Sequence, residues 1–250
     1  MSSEPPSVTD GLMPRLWGKP PAGRRGPKPA LSVAQIVEAA YVIADEQGLA
    51  AVSMARVSEA LGCSPMALYR HVQNKDELLI LLSDRLCADL PEPSRDLGWR
   101  EGLAAWMRAQ VDLSLSKPWF LDLPLAATLP GPNRLAWIDV GFYYLRDVTL
   151  PPEEKMAILG IISQYALGEA RIEAEAARLE ENPYASFEQM LVTYADPERF
   201  PSLMESMATW KPAAPGEESE SDDPSAFGQS LLMAGIQAHI EGHLGRSAAK

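Results

Sequence analysis

Ser32, Ser53, Ser64 and Asn74 are small polar residues of the type that cap helix N-termini, and each precedes a run with apolar spacings of three and four. Starts this close together leave room only for short helices joined by tight turns. Val33, Ile36, Val37, Ala40, Ile43 and Ala44 form the first stripe, opened by a Ser32/Gln35 capping box and ended by Gly48. Ser53 opens a second helix that runs to about Ala60 and stops at Leu61-Gly62. Ser64 opens a third, with Pro65 at the first helical position, where its missing N–H does no harm. Asn74 and Glu77 have capping-box spacing and start a fourth, "KDELLILLSDRLCADL". Gly62 supplies the tight turn, so the spacing predicts a helix-turn-helix unit over residues 31–90, closed by Pro91 and Pro93.

The rest of the chain divides around this head. Residues 1–30, with "GKPPAGRRGPKPA", read as a disordered basic arm. Residues 95–250 read as a helical body, with helices near 97–116, 133–147, 152–180, 186–194, 200–210 and 225–244 set off by prolines. "PAAPGEESESDDPS", residues 212–225, reads as a disordered acidic linker ahead of the last helix. No alternating strand pattern appears, so the fold class is all-α: a three-helix helix-turn-helix head joined to a helical bundle.

Charge separates the two parts. The chain carries a net −12, yet residues 11–37 hold Arg15, Lys19, Arg24, Arg25 and Lys28 and no acid. Residues 15–85 hold 9 Lys and Arg against 7 Asp and Glu, while residues 86–250 hold 13 against 25. A near-neutral head with a cationic arm on an acidic body suits nucleic-acid binding. No apolar run reaches the roughly 18 residues that a membrane span needs, and a cytoplasmic protein is expected. Cys63 and Cys87 are too few for a disulfide framework and are read as buried small hydrophobes.

In a helix-turn-helix the third helix lies in the major groove. Leu68 and Val72 are four apart and face the head's core, which turns Pro65, Met66, Ala67, Tyr69, Arg70 and His71 outward. Arg70 is the candidate for bidentate bonding to guanine, with Met66 and Ala67 placed for thymine methyls. Tyr69, His71 and Lys75 suit phosphates. Ser53, Arg56 and Ser64 are further backbone contacts, and Arg24, Arg25 and Lys28 reach the minor groove or the phosphates.

"GLAAVSMARVSEALGCSPMALYRHVQNKDELLILL" resembles the DNA-binding head of the tetracycline-repressor (TetR) family of transcriptional regulators. The shared features are Gly-Leu after the first helix, Leu61-Gly62 in the turn, and "LYRHVQNKDELL" leading into the fourth helix. Trp99, "GPN" at 131–133 and "ALGEA" at 166–170 resemble the C-terminal domain of the tetracycline-repressor subgroup. The resemblance implies a homodimer that binds a palindromic double-stranded DNA operator and is released by a small-molecule effector, usually as a repressor. Carried over, phosphate contacts fall on Tyr69, His71 and Lys75 and base contacts on Met66, Ala67 and Arg70. Members often carry a basic residue where this chain has Ala55 and a polar one where it has Pro65 or Met66, so its operator should differ from theirs.

The aromatic-rich body offers Trp106 and Gln110 on one helix face and Trp137, Val140, Gly141 and Tyr144 on another. Each aromatic is core or pocket; the expected lining is Trp106, Gln110, Trp137, Val140, Tyr144, Gln164 and Tyr165. The body has no histidine between 72 and 238, which argues against a metal–tetracycline effector and for a hydrophobic or aromatic one. Dimerisation is expected through Ile158, Ile161, Ile162 and Tyr165 with the last helix, whose Phe227, Leu231, Ala234 and Ala238 oppose Leu232, Met233, Ile236 and Ile240. His239 and His243 lack further ligands, so no metal and no cofactor are expected. Phosphate loops, HExxH and GxSxG are absent, so an enzyme is not expected. The alternative is a helical protein-interaction adaptor without sequence-specific DNA binding.

Overall fold

The structure, a computed structural model, describes residues 8–18, 31–124, 129–178, 190–191, 193–208 and 224–248. The described residues are helical and contain no strand. In chain order the helices are α1 (Val8–Leu16), α2 (Val33–Gln47), α3 (Met54–Ala60), α4 (Pro65–Tyr69) and α5 (Lys75–Cys87). They continue with α6 (Trp99–Ser116), α7 (Pro132–Tyr144), α8 (Pro152–Ala176), α9 (Pro201–Ala208) and α10 (Pro224–Ala248). Short 3-10 turns lie at Leu49–Ala51 and Pro118–Asp122.

The caps read from sequence are formed. Ser32 and Gln35 make the reciprocal box, and Ser53 and Ser64 accept from the backbone N–H groups of Arg56 and Ala67. At Asn74 only half of the box closes. Asn74 Oδ1 accepts from Glu77 N at 2.8 Å, but the Glu77 carboxylate turns to Gln73 N and to Arg15 of α1. Gly62 sits at φ +62° in the turn, where a side chain would be strained.

Two hydrophobic cores result. The head's core gathers α2 through Ile36, Ala40 and Ala44, α3 through Val57, then Leu68, Val72 and the length of α5. The body's core gathers Trp106 and Met107 of α6, Trp137, Val140 and Tyr144 of α7, Ile158 and Ile162 of α8, and Met233, Ile236 and Ile240 of α10. α5 is buried around its circumference from Glu77 to Asp84 because head helices cover one side and α7 the other.

The N-terminal arm is ordered in part. Residues Val8–Leu16 are not disordered: they form α1, and Leu12 and Leu16 are buried in the head's core. The burial of that pair outweighs the helix-breaking Gly11 and Pro14. Arg24, Arg25 and Lys28 lie outside the described residues, as do 212–223 of the acidic linker and most of 186–194. α7 ends at Tyr144, before the expected 147, because the chain turns at Leu145 to bury Leu145, Val148 and Leu150. α8 ends at Ala176 and not at 180. α10 begins at Pro224, inside the stretch read as linker.

Candidate nucleic-acid interface

α4 is a single turn of helix fixed at both ends. Ser64 and Pro65 start it, and Leu68 and Val72, both fully buried, bolt its inner face to the head. Everything else on it is thereby turned outward: Met66 is 70% exposed, Tyr69 and Arg70 are exposed, and Ala67 and His71 are half-buried. Arg70 stands at the helix end and His71 in the following turn, so the reading surface spans little more than one turn of helix. An exposed methionine beside an arginine and a tyrosine is an apolar-plus-cationic surface, the combination that fits base edges and phosphates.

Lys75 is the first residue of α5, one position after its cap, and is exposed. Among the described residues no carboxylate pairs with Arg70 or Lys75. Arg56 is held differently, by Gln47 at 2.7 Å and Glu59 at 3.4 Å. Ser53 and Ser64 accept a backbone N–H as caps, and each hydroxyl keeps its proton free to donate to a phosphate oxygen. Cys63, expected to be buried, is half-buried in the turn, and Cys87 is buried with Sγ 3.4 Å from Ser83 O. Burial pushes the Cys87 thiol up to about 11.

Glu77 is legible in the sequence as a cap partner and Arg15 as part of the cationic arm, but no local signal shows that the two would pair. Glu77 is almost fully buried at the start of α5, accepts from Gln73 N, and pairs with Arg15 of α1. This places the N-terminal helix directly behind the α4–α5 corner.

In the body, Trp106 and Trp137 stack with centroids 5.4 Å apart and planes 10° from parallel, and Trp106 Nε1 donates to Trp137 O. The Tyr144 hydroxyl donates to the carbonyls of Pro93 and Ser94. Val140 is buried beside them, and Gln110 is half-buried with Nε2 donating to Trp106 O. Gln164 is exposed on the outer side of α8, away from this group. Tyr165 instead lines an open apolar groove of about 710 Å³ between α8 and α10, with Ile158, Ile161, Leu231 and Ile236. The expected lining residues therefore fall in separate places: Trp106, Trp137, Val140 and Tyr144 in the core, Tyr165 in the groove.

The groove is edged by both faces of α10. Met233, Ile236 and Ile240 are buried against their own subunit, while Phe227, Leu231, Ala234 and Ala238 are exposed. On α8 the same split puts Ile158 and Ile162 inside and leaves Ile161 52% exposed. His239 Nε2 lies 2.7 Å from Glu154 Oε2 at one end. No described helix is long and apolar enough to cross a membrane.

The model for bacterial regulatory proteins of the tetR family matches residues 36–82, and that for the tetracyclin repressor-like C-terminal domain matches residues 90–240. The HTH-type transcriptional repressor DrrR1 of Streptomyces coeruleorubidus is 36% identical over 158 residues, 62% of this chain and 58% of that one. The chain thus spans less than two thirds of that relative's length. The TetR family protein ActR of Streptomyces coelicolor, in complex with actinorhodin, superposes with a TM-score of 0.67 at 25% identity, over 84% of this chain and 96% of that one. BioQ with its double-stranded DNA operator gives a TM-score of 0.53 at 26% identity, over 65% and 96%.

Proposed function

The chain belongs to the tetR family of bacterial regulatory proteins, and from this premise we propose a homodimeric repressor that binds a palindromic operator and is released by a hydrophobic or aromatic small molecule. The observation that carries the DNA half is the outward set Met66, Tyr69 and Arg70 on a helix locked down by Leu68 and Val72. Arg70 reads guanine, Met66 and Ala67 meet thymine methyls, and Tyr69, His71, Lys75, Ser53, Arg56 and Ser64 hold the phosphate backbone. Arg24, Arg25 and Lys28 extend that hold along the duplex. Residues 31–90, braced by α1, act as the reading head and residues 95–250 as the body.

The exposed apolar strip of Ile161, Phe227 and Leu231 supports the dimer. Pairing α8 and α10 with their symmetry mates makes a four-helix bundle and removes the strip from water. The aromatic character of the body and the actinorhodin complex of ActR support an aromatic effector. A fluorescence-anisotropy titration tests the whole reading. A labelled duplex enriched on the protein is bound first, and actinorhodin, simple anthraquinones and magnesium–tetracycline are then added in turn. Release by an aromatic compound supports the reading, and release by the metal chelate alone would overturn the effector assignment.

A further inference from the structure

Asp84 lies in the last turn of α5, where the dipole of its own helix disfavours a negative charge, and it is only 3% exposed. Its carboxylate is satisfied by another helix altogether. Oδ1 accepts from Arg134 N at 3.0 Å, and Oδ2 accepts from Asn133 N at 3.3 Å and Asn133 Nδ2 at 3.1 Å. The two backbone donors, Asn133 N and Arg134 N, are the first free N–H groups of α7. Pro132 has none to offer, and Gly131 at the cap position makes no side-chain cap. Arg134 Nη2 closes the joint by donating to Ser83 Oγ at 2.7 Å, on a serine with no exposure.

The fit leaves no slack. A Cβ on Gly131 would stand 2.3 Å from Asp84 Cγ and 2.4 Å from Oδ1, so only glycine admits the carboxylate to the helix end. One end of α7 is therefore clamped to α5, and α5 continues at its other end into the Asn74–Lys75 corner that carries α4. Further along the same helix, Trp137, Val140 and Tyr144 enter the body's core.

We propose that Asp84 is a positioning residue that couples body to head: the cap it makes on α7 transmits any shift of α7 to α5 and thence to the recognition helix. The proposal rests on the DNA-binding reading above. Coupling is reciprocal, so a body that governs DNA binding must itself respond when DNA binds. A cap with only a structural role would contribute stability and leave that response intact.

The test is amide hydrogen exchange across residues 136–144, with and without a saturating enriched duplex, in wild type and Asp84→Asn. Gly131→Ala is the second variant, since it drives the same two groups apart by another route and serves if Asp84→Asn does not fold. Exchange in wild type should change by about 5-fold or more on DNA binding, the lower end of ordinary coupling. In either variant, folded by circular dichroism and with DNA bound, that change should vanish. A response to DNA in wild type that survives in both variants would overturn the proposal. So would a wild type that binds duplex with no change in α7, whereas a wild type that enriches no duplex would overturn the DNA-binding reading itself and the proposal with it.

Discussion

Trp119, which follows the first helix of the body, stands edge-on against Tyr41 of the head, with ring centroids 5.7 Å apart and planes at 85°. Trp119 is 5% exposed and belongs to the head's core, although it lies beyond α6 in the chain. Arg85 and Lys117 both stand over the Tyr41 ring, at 4.6 and 5.5 Å, and Lys117 Nζ also reaches both oxygens of Asp45. Head and body are thus joined by a wedge as well as by the Asp84 clamp, and the head does not hang from α5 alone.

Removing the wedge should loosen the head. Trp119→Ala deletes a buried indole, a change that costs about 3–5 kcal/mol in ordinary cores. Urea unfolding should register a loss of that order, and Trp119→Phe a smaller one because the edge contact to Tyr41 is partly kept. A Trp119→Ala variant as stable as wild type would mean that the head's core closes without it.

Acid should act through Asp89. Burial opposes its charge, but hydrogen bonds from Tyr41, at 2.6 Å, and from Arg85 outweigh it and hold the carboxyl below its usual range. The folded-state pKa is then lower than the unfolded value of about 3.9. The resulting stability is fully present above the unfolded value and is lost as pH falls through the folded one. Melting curves from pH 6 downward should fall less steeply for Asp89→Asn than for wild type; parallel curves would contradict the assignment.

The two thiols should differ in reactivity. Cys87 is buried and its thiol is pushed up to about 11, whereas Cys63 is partly open in the helix-turn-helix turn. At pH 8 a disulfide reagent should label Cys63 at least about tenfold faster, because Cys63 is accessible while burial suppresses the Cys87 thiolate and shields it. Equal rates in the folded protein would count against the placement of Cys87.

The apolar strip makes a clear demand on assembly. Leu231 is 63% exposed and Ile161 52% exposed on adjoining faces of α10 and α8. Leu231→Glu or Ile161→Glu puts charge on the strip proposed to pair and should yield a folded monomer by light scattering. DNA affinity should fall with the lost second head. A glutamate variant that remains dimeric would place the interface elsewhere.

Arg70 and Lys75 should separate specificity from affinity. Arg70→Ala is expected to cost about 1–3 kcal/mol and to relax the preference at one base pair. Lys75→Ala should weaken all duplexes alike and lower the salt slope by about 1. Unchanged affinity and slope for Lys75→Ala would remove it from the contact set.

Local signals were the legible part of this molecule. The stripe of α2, the caps at Ser32, Ser53 and Ser64 and the turn at Gly62 are each decided within a few residues, and the structure forms all of them. The two faces of α10 were legible for the same reason, since spacing alone sorts Leu231 from Ile236. Features that depend on a distant partner were not. α1 has Gly11 and Pro14 and looks unlike a helix until Leu12, Leu16 and Arg15 find the head. Asp84 in "LLSDRL" reads as an ordinary polar position, because nothing nearby says that α7 will land on it. The aromatics of the body were legible as buried, but a stripe cannot say whether Trp137 lines a space or fills one.

Selection of a random duplex pool on the purified protein decides whether a dimer of these heads reads one symmetric DNA sequence. Run at near-physiological salt without effector, the selection should enrich a two-fold symmetric site with half-sites about one helical turn apart. Retention of DNA without sequence preference, falling steeply with salt, would contradict the claim.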